Sequence, residues 1–333
     1  MESTDELRAW LDAEDEPDPL VVETSGSTGS PKRVLLPRRA VLASVRATEA
    51  RLGGPAPWVL ALPPAYVAGL MVRVRSLVAG HEARVLAEDG WPPPEQPDWL
   101  VSLVPTQLAR MLADPDPADR EALARARCVL LGGGPVDAGL RERAAAVGIR
   151  TVATYGMAET CGGCVYDGVP LDGVAVALGA DGRVRLGGPT VFAGYEGDPG
   201  LTAEVLDDGW FRTADAGTFD EDGRLRLLGR LDDMVVSGGV NVPGAVVAAR
   251  LREHPDVSAA EVVGLDDAEW GRRVVAVVAG PLDLDAARDW VGAVHPRAWA
   301  PRQVVRVDEV PLLANGKTDR LAVRRLAETA PTP

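Results

Sequence analysis

The sequence predicts an α/β protein with a large amino-terminal domain and a small carboxy-terminal domain. In the first half of the chain, short β-branched runs alternate with helical patterns. From about Val174, Asp-Gly pairs separate short strands, and a new mixture of helical and strand patterns begins after Arg230. The length of 333 residues also exceeds what one hydrophobic core comfortably serves. Two domains are therefore expected.

The first half has the alternation that is typical of a mainly parallel sheet covered by helices. The predicted buried strands are residues 21–23, 58–62, 84–86, 99–104 and 128–131. The predicted helices between them are residues 39–51, 67–78, 106–112 and 138–147. Residues 12–19, rich in acids and proline, are expected to form an exposed loop.

The second half predicts a β-rich subdomain followed by a small α+β domain. Asp-Gly at 181–182 and 222–223 is a strong hairpin signal between the short strands 174–178, 183–186, Phe219 and 224–228. After Arg230, helices are predicted at 246–253, 284–291 and 319–326, and strands at 261–263, 274–278 and 304–307. The boundary is placed at 230–232, giving domains 1–231 and 232–333.

Composition excludes several classes of function. The net charge of −14 disfavours nucleic-acid and anionic-lipid partners, because phosphate groups repel an acidic protein. No apolar run of about 18 residues is present, so no membrane insertion is expected, and the acidic amino terminus does not resemble a signal peptide. Three cysteines are too few for a disulfide framework, which favours the cytoplasm.

A glycine- and hydroxyl-rich loop follows the first predicted strand. It reads Thr24-Ser25-Gly26-Ser27-Thr28-Gly29-Ser30-Pro31-Lys32. Glycines allow close approach of backbone N–H groups to an anion, the hydroxyls add donors and Lys32 adds a cation. The loop has the composition of a phosphate site or, alternatively, of a solvated turn. It does not match the Walker A pattern, nor do residues 311–318, because Pro311 stands at the first glycine.

Four further segments follow in order along the chain. They are YGMAET at 155–160, WFRTAD at 210–215, GRLDD through SGGVN at 229–241, and PLLANGK at 311–317. Together with the glycine-rich loop they resemble the adenylate-forming superfamily of acyl-CoA synthetases, luciferases and nonribosomal adenylation domains. The resemblance covers about residues 21–326. It implies an acid–thiol ligase that uses ATP, Mg²⁺ and coenzyme A.

The resemblance implies a nucleotide site made of these segments. Residues of the glycine-rich loop, from Thr24 to Gly29 with Lys32, would hold the β- and γ-phosphates. Gly132, Gly133, Gly134 and Pro135, with Tyr155 and Gly156, would enclose the adenine. Asp215 and Arg230 would bind the ribose. Glu159 would hold Mg²⁺, with Thr28 close to the metal or phosphates, since a hard cation prefers oxygen ligands.

The small domain would carry the residues that change between the two half-reactions. By resemblance, Lys317 bridges the attacking carboxylate and the α-phosphate, where negative charge accumulates. Asp232 matches the hinge about which the small domain rotates. Ser237, Gly238 and Gly239 would then meet the pantetheine arm of coenzyme A. Thr28, Glu159, Arg230 and Lys317 are therefore the predicted catalytic residues.

The acid pocket points to one branch of the superfamily. Residues 155–173, 62–80 and 102–108 resemble the o-succinylbenzoate–CoA ligases of menaquinone biosynthesis. By that resemblance, Arg75 and Ser102 handle an aromatic keto-acid with two carboxylates, and Gly162 and Gly163 form a wall beside it. The phosphate loop begins earlier than in typical relatives, so a shortened amino-terminal subdomain is expected. A homodimer is left open.

Several departures and alternatives remain at this point. Ala158 replaces a usual threonine, and Tyr66 stands where many relatives have a histidine. Cys161-x-x-Cys164 is interpreted as pocket lining rather than a metal or redox site, because no second pair or histidine spacing accompanies it. The alternative functions are another aryl- or acyl-CoA ligase, an enzyme that loads a carrier protein, and a catalytically silent nucleotide-binding regulator.

Overall fold

The computed structural model describes residues 3–24, 31–96, 98–312 and 318–331. The helices are α1 (Thr4–Asp12), α2 (Arg38–Leu52), α3 (Val67–Val78), α4 (Leu86–Asp89), α5 (Pro105–Ala113), α6 (Ala118–Arg125), α7 (Ala138–Ala146), α8 (Pro199–Val205), α9 (Gly244–Arg252), α10 (Leu284–Gly292) and α11 (Arg320–Thr329). Short 3₁₀ turns occur at Ala158–Thr160, Leu231–Asp233 and Arg297–Trp299. No helix in the described ranges is long and apolar enough to span a membrane.

The strands are mostly short. They are β1 (Leu20–Glu23), β2 (Arg33–Leu36), β3 (Trp58–Leu60), β4 (Arg84–Val85), β5 (Leu100–Leu103), β6 (Cys128–Leu131), β7 (Thr151–Met157), β8 (Gly162–Tyr166), β9 (Val169–Pro170), β10 (Ala175–Leu178), β11 (Arg183–Gly187), β12 (Gly194–Tyr195), β13 (Leu206–Asp207), β14 (Trp210–Phe219), β15 (Leu225–Arg230), β16 (Met234–Ser237), β17 (Val240–Pro243), β18 (Ala259–Asp267), β19 (Gly271–Ala279) and β20 (Gln303–Val307).

The chain divides into two compact units. The first contains Met1–Gly179, Val184–Thr213 and Phe219–Leu225, and the second contains Ala180–Arg183, Ala214–Thr218 and Arg226–Pro333. The predicted boundary at 230–232 remains a prediction, because compactness alone does not identify a hinge.

A seven-stranded sheet forms the centre of the first unit, in the order β4-β3-β5-β6-β7-β8-β9. The pairs from β4 through β7 are parallel, and the β7–β8 and β8–β9 pairs are antiparallel. The mainly parallel sheet predicted from the alternating pattern is thus confirmed. Its middle strands β5 and β6 are buried at every position, as expected when helices cover both faces.

Two further sheets involve the first unit. Strands β1, β2 and β12 form an antiparallel sheet, in which β2 pairs with both neighbours. The β-rich region has the order β10-β11-β14-β13, with β15 also paired to β14.

The predicted strand at 84–86 is one residue too long, since β4 ends at Val85 and α4 begins at Leu86.

The second unit is built on a sheet of order β17-β16-β19-β18, to which β20 adds in parallel beside β19. Its interior is aliphatic: Val274 to Val278 of β19 are fully buried between two apolar clusters. Helices α9 and α10 pack in one cluster and α11 in the other. The predicted small α+β domain is confirmed, and its predicted helices and strands occur in the predicted order. The hairpin β16–β17, which precedes them, was not predicted.

Candidate active site

The phosphate-loop segment joins β1 to β2, which pair antiparallel. The Thr24 N–H donates to the Lys32 carbonyl at 2.9 Å, and the Lys32 N–H donates to Thr24 Oγ1 at 3.4 Å. These bonds close the base of the loop. Ser25, Gly26, Ser27, Thr28 and Gly29 lie outside the described residues, so their predicted phosphate contacts stay predictions.

The predicted adenine segment follows the carboxyl end of β6, where ligands commonly bind in parallel sheets. A Cβ on Gly132 would lie 2.6 Å from Thr154 Oγ1 of β7, so a side chain there would require the Thr154 hydroxyl to shift. Gly133, Gly134 and Pro135 are exposed. Tyr155 lies in β7 and packs against the main core cluster. The glycine segment and β7 are therefore adjacent, as the nucleotide site requires.

Gly156 brings the nucleotide segment and the predicted acid wall together. Gly156 pairs with Gly163, and a Cβ on Gly156 would lie 2.1 Å from the Gly162 carbonyl oxygen. A side chain there would force β7 and β8 apart, because backbone atoms cannot move aside as a flexible side chain can. Tyr155 and the Gly162–Gly163 wall are thus held on paired strands.

Two hydroxyl groups hold the turn that leads into this wall. Thr160 Oγ1 lies 2.8 Å from the Gly162 carbonyl and accepts a 3.0 Å bond from the Met157 N–H. Ser44 of α2 donates to the Cys161 carbonyl at 3.0 Å. Cys161 itself adopts a left-handed backbone with φ 52°. Ser44 lies outside every sequence motif, and Thr160 lies in the segment at 155–160 but had no predicted role, because both hydroxyl groups act on the backbone.

Arg75 is a buried cation without an anion. It lies on α3, is 4 % exposed, and its Nε and Nη2 atoms have no hydrogen-bond partner among the described residues. The guanidinium lies 5.2 Å from the Trp58 ring centroid, and a Cβ on Gly162 would be 3.8 Å from its Nη2. Burial raises the pKa of Glu49 although Arg75 and Arg46 lower it, and no ion pair joins the described side chains of Arg75 and Glu49.

Ser102 is buried in β5, opposite Leu130 of β6. Within the described part of the chain no hydrogen bond joins its side chain to Arg75. Of the predicted acid-pocket residues, the structure therefore brings Arg75 and Gly162 together, and pairs Gly163 with Gly156.

Glu159 is a buried carboxylate in the turn between β7 and β8, and is 8 % exposed. Tyr195 of β12 donates its hydroxyl to Glu159 Oε1 at 2.8 Å, and the Phe192 N–H donates to the Glu159 carbonyl at 2.9 Å. Burial, followed by the Glu159 charge, raises the pKa of the Tyr195 phenol, so it stays protonated and donates. Sequence reasoning missed Tyr195, because 36 residues separate it from Glu159.

The fit of Mg²⁺ to Glu159 can be judged from the donor set. Among the described residues, no group of three or more histidine, cysteine, aspartate or glutamate side chains could hold a metal ion. Mg²⁺ bound with a nucleotide normally uses one or two carboxylates together with phosphate oxygens and waters. A single buried carboxylate beside the phosphate-loop strand fits that pattern, and it fits no metal held by protein ligands alone.

The cysteine pair is packed into the core. Cys161 and Cys164 are both fully buried, and burial raises the pKa of each thiol to about 12. Thiols of this kind remain protonated and unreactive at neutral pH.

The second unit contains the remaining predicted residues. Asp215 lies in β14 and is half-buried, while Arg230 Nη2 lies 3.2 Å from Asp232 Oδ2 at the end of β15. Ser237 is buried, and Gly238 and Gly239 form a two-residue hairpin turn with φ 58° and 78°. Positive φ at both positions is what this hairpin type requires, hence the two glycines.

Two side-chain contacts hold the segment that follows Lys317. Lys317 lies outside the described residues. Thr318 donates its hydroxyl to Glu261 Oε1 at 2.9 Å, and Arg320, the first residue of α11, forms an ion pair with Asp233. The structure thus fixes the chain directly following the predicted catalytic lysine.

Family models cover most of the chain. Residues 12–208 match the AMP-binding enzyme family, and residues 247–317 match the AMP-binding enzyme C-terminal domain. The chain belongs to the AMP-binding enzyme family. Family membership accounts for the order of the motifs and for the small unit that follows the large one.

Individual relatives agree with this family assignment. A probable 2-succinylbenzoate–CoA ligase of Mycobacterium tuberculosis is 44 % identical, over 93 % of this chain and 85 % of the relative. The Bacillus subtilis o-succinylbenzoate CoA synthetase (MenE), solved with the acyl-adenylate OSB-AMP, superposes with a TM-score of 0.77 at 26 % identity, over 91 % of this chain and 68 % of its own. The amide bond synthetase McbA of Marinactinospora thermotolerans gives a TM-score of 0.80 at 30 % identity, with 92 % and 68 % covered.

The close approach at Gly156 gives the first prediction. Gly156→Ala should lower the free energy of unfolding by about 1–3 kcal/mol, because the added methyl group meets the Gly162 carbonyl. Thermal and urea denaturation would measure this change. Gly139→Ala in the first turn of α7 is the control: its methyl group meets only ordinary contacts, so stability should rise slightly. Equal effects of the two substitutions would contradict the packing argument.

Proposed function

We propose that this AMP-binding enzyme is a 2-succinylbenzoate–CoA ligase. It would activate o-succinylbenzoate with ATP to the acyl-adenylate, releasing pyrophosphate, and transfer the acyl group to coenzyme A with release of AMP, a step of menaquinone biosynthesis. The relatives named above support this assignment. Among the observations in the structure, the buried and unpaired guanidinium of Arg75 carries it.

The burial of Arg75 favours a substrate acid that carries a second carboxylate. Burying an unpaired guanidinium costs several kcal/mol, and a ligand carboxylate would remove that cost. The activated carboxylate becomes a neutral acyl group during the reaction, so it cannot serve as the permanent partner of Arg75. The second carboxylate of o-succinylbenzoate is retained, so it can serve as that partner. Gly162, beside Arg75, presents backbone and no side chain to the proposed aromatic ring.

The roles of the nucleotide residues follow from their chemistry. Tyr155 would stack on adenine, Asp215 and Arg230 would bind the ribose hydroxyls, and Lys32 would bind phosphate oxygens. Glu159 would hold Mg²⁺, which when bound neutralises part of the phosphate charge. Lys317 would stabilise the charge that develops as one anion attacks another.

Substitution of Arg75 tests the substrate assignment. Arg75→Leu should lower kcat/KM for o-succinylbenzoate about 10- to 100-fold, since a hydrogen bond to a charged group contributes about 1.5–3 kcal/mol. Activity with benzoate should hardly change. Release of pyrophosphate across a panel of acids, with coenzyme A or an amine as acceptor, measures this.

The melting temperature of the Arg75→Leu variant shows whether a loss of activity comes from lost substrate recognition or from structural damage. Replacing an unpaired buried charge by leucine should keep or raise the melting temperature of the protein without ligand. Arg73→Leu, on the same helix but partly exposed, is the control and should leave discrimination unchanged. If benzoate or a fatty acid outperforms o-succinylbenzoate, the substrate assignment is wrong, although the adenylation chemistry remains.

Lys317 should matter for only one half-reaction. Lys317→Ala is expected to slow acyl-adenylate formation by about 10²-fold or more, because one positioned charge donor contributes roughly 3 kcal/mol. Thioester formation from supplied acyl-adenylate should stay largely intact. Rapid-quench measurement of both steps checks this, with Arg325→Ala on the exposed side of α11 as the control. Similar losses in both steps would argue against rotation of the small domain.

Asp215 should affect the nucleotide and not the acid. Asp215→Ala is expected to raise the KM for ATP at least about ten-fold, because the ribose hydroxyls lose a charged acceptor. The KM for o-succinylbenzoate should change little. Steady-state kinetics with each substrate varied in turn gives both values, and Asp222→Ala at an exposed hairpin is the control. An effect confined to the acid would refute this placement of the ribose.

A further inference from the structure

Tyr195 links two groups of opposite charge that the proposed reaction uses. Its hydroxyl donates to Glu159 Oε1 at 2.8 Å, and the Lys32 ammonium lies 5.2 Å from the centroid of its ring. Both Tyr195 and Glu159 are buried, being 6 % and 8 % exposed. Its ring thus contacts the cation and its hydroxyl contacts the anion, and no ion pair joins the described side chains of Lys32 and Glu159.

The segment that carries Tyr195 is fixed on both sides. Toward the phosphate-loop hairpin, Tyr195 pairs with Val34 of β2, and the Glu196 N–H donates to the Arg33 carbonyl at 2.8 Å. Toward the turn between β7 and β8, the Phe192 N–H donates to the Glu159 carbonyl. Side-chain and backbone bonds from one short segment therefore both hold Glu159.

Aromatic packing fixes the ring itself. Phe192 contacts Tyr195 edge-to-face at 5.0 Å, and Phe192 contacts Phe211 in the same way at 5.3 Å. Edge-to-face contacts of this kind favour one ring orientation. The hydroxyl of Tyr195 is thus delivered to Glu159 by a rigid support.

A neutral donor has a specific advantage at this position. A lysine paired with Glu159 would cancel its charge and would have to be displaced before a divalent cation could bind. A phenol orients the carboxylate while leaving its negative charge in place, as partners of metal-binding carboxylates commonly do. The cation–π contact holds Lys32 by a separate interaction, so its charge remains for phosphate oxygens.

We propose that Tyr195 is a positioning residue that orients Glu159 toward the divalent cation accompanying ATP and keeps Lys32 from pairing with Glu159. This inference rests on the proposed function, since it takes ATP with Mg²⁺ as the ligand. Tyr195 does not touch the reacting atoms in this account.

Tyr195→Phe tests the orienting role, because it removes the hydroxyl and keeps the ring. ATP affinity is measured by titration calorimetry at a series of Mg²⁺ concentrations. The Mg²⁺ concentration at which the ATP affinity reaches half its maximum should rise about ten-fold, the usual effect of removing a hydrogen-bond partner of a metal ligand. ATP affinity in a chelator should stay unchanged. Tyr195→Leu also removes the ring beneath Lys32, so it should weaken ATP binding in the chelator as well.

Tyr166→Phe is the matched control. Tyr166 is buried, and its hydroxyl lies 3.1 Å from Thr48 Oγ1, so the same atom is removed from a similar environment. Its Mg²⁺ dependence should equal that of the wild type. In a Glu159→Gln background, Tyr195→Phe should cause no further change in Mg²⁺ dependence, because the carboxylate it orients is gone.

The outcomes distinguish this inference from the proposed function. If Tyr195→Phe weakens ATP binding equally with Mg²⁺ and with chelator, or behaves as Tyr166→Phe does, the inference is wrong and the proposed function stands. If the wild-type protein binds no ATP in Mg²⁺, both are wrong. If Tyr195→Phe lowers the stability of the protein, the rise in melting temperature on adding Mg²⁺ with ATP is measured for the variant and for the wild type. The rise should be smaller for the variant.

Discussion

The carbonyl oxygen of Gly162 lies so close to the α-carbon of Gly156 that no side chain fits between them, and the proposed active site depends on this contact. It lets the last parallel strand, β7, pair with the antiparallel strand β8 across the site. The chain between them must reverse direction in four residues, from Ala158 to Cys161, and Glu159 lies in that reversal. The predicted nucleotide segment, the predicted acid wall and Glu159, the proposed Mg²⁺ ligand, are therefore positioned by one strand pair.

Charge is distributed unevenly in this acidic protein. Several described arginines near the surface form ion pairs with carboxylates, as Arg127 does with Asp98 at 2.6 Å. Within the described ranges, Arg75 is buried and forms no ion pair, and the Lys32 ammonium lies over the ring of Tyr195. Cations held in this way retain their capacity for ligand anions, which would allow a chain of net charge −14 to bind the anionic substrates of the proposed function.

The support of the site is mostly made of hydroxyl groups acting on other residues. Ser44 donates to the Cys161 carbonyl, and Thr160 donates to the Gly162 carbonyl. Tyr195 donates to the Glu159 carboxylate. Each of these bonds is buried, where water does not compete and an unmade bond would be costly. The geometry of the wall and of Glu159 is consequently set by groups that take no part in the proposed chemistry.

The sequence by itself determined the element types, the parallel sheet and the order of motifs, because these follow from local periodicity and from short segments whose chemistry is readable. Helix α3 was predicted at its observed limits, and strand β6 likewise. Only the tertiary structure decided that Arg75 is buried without an ion pair to any described residue and that Tyr195 reaches Glu159, since burial and contacts between residues far apart in sequence leave no periodic signal. A tyrosine in a loop and a tyrosine oriented on a carboxylate look the same until the chain has folded.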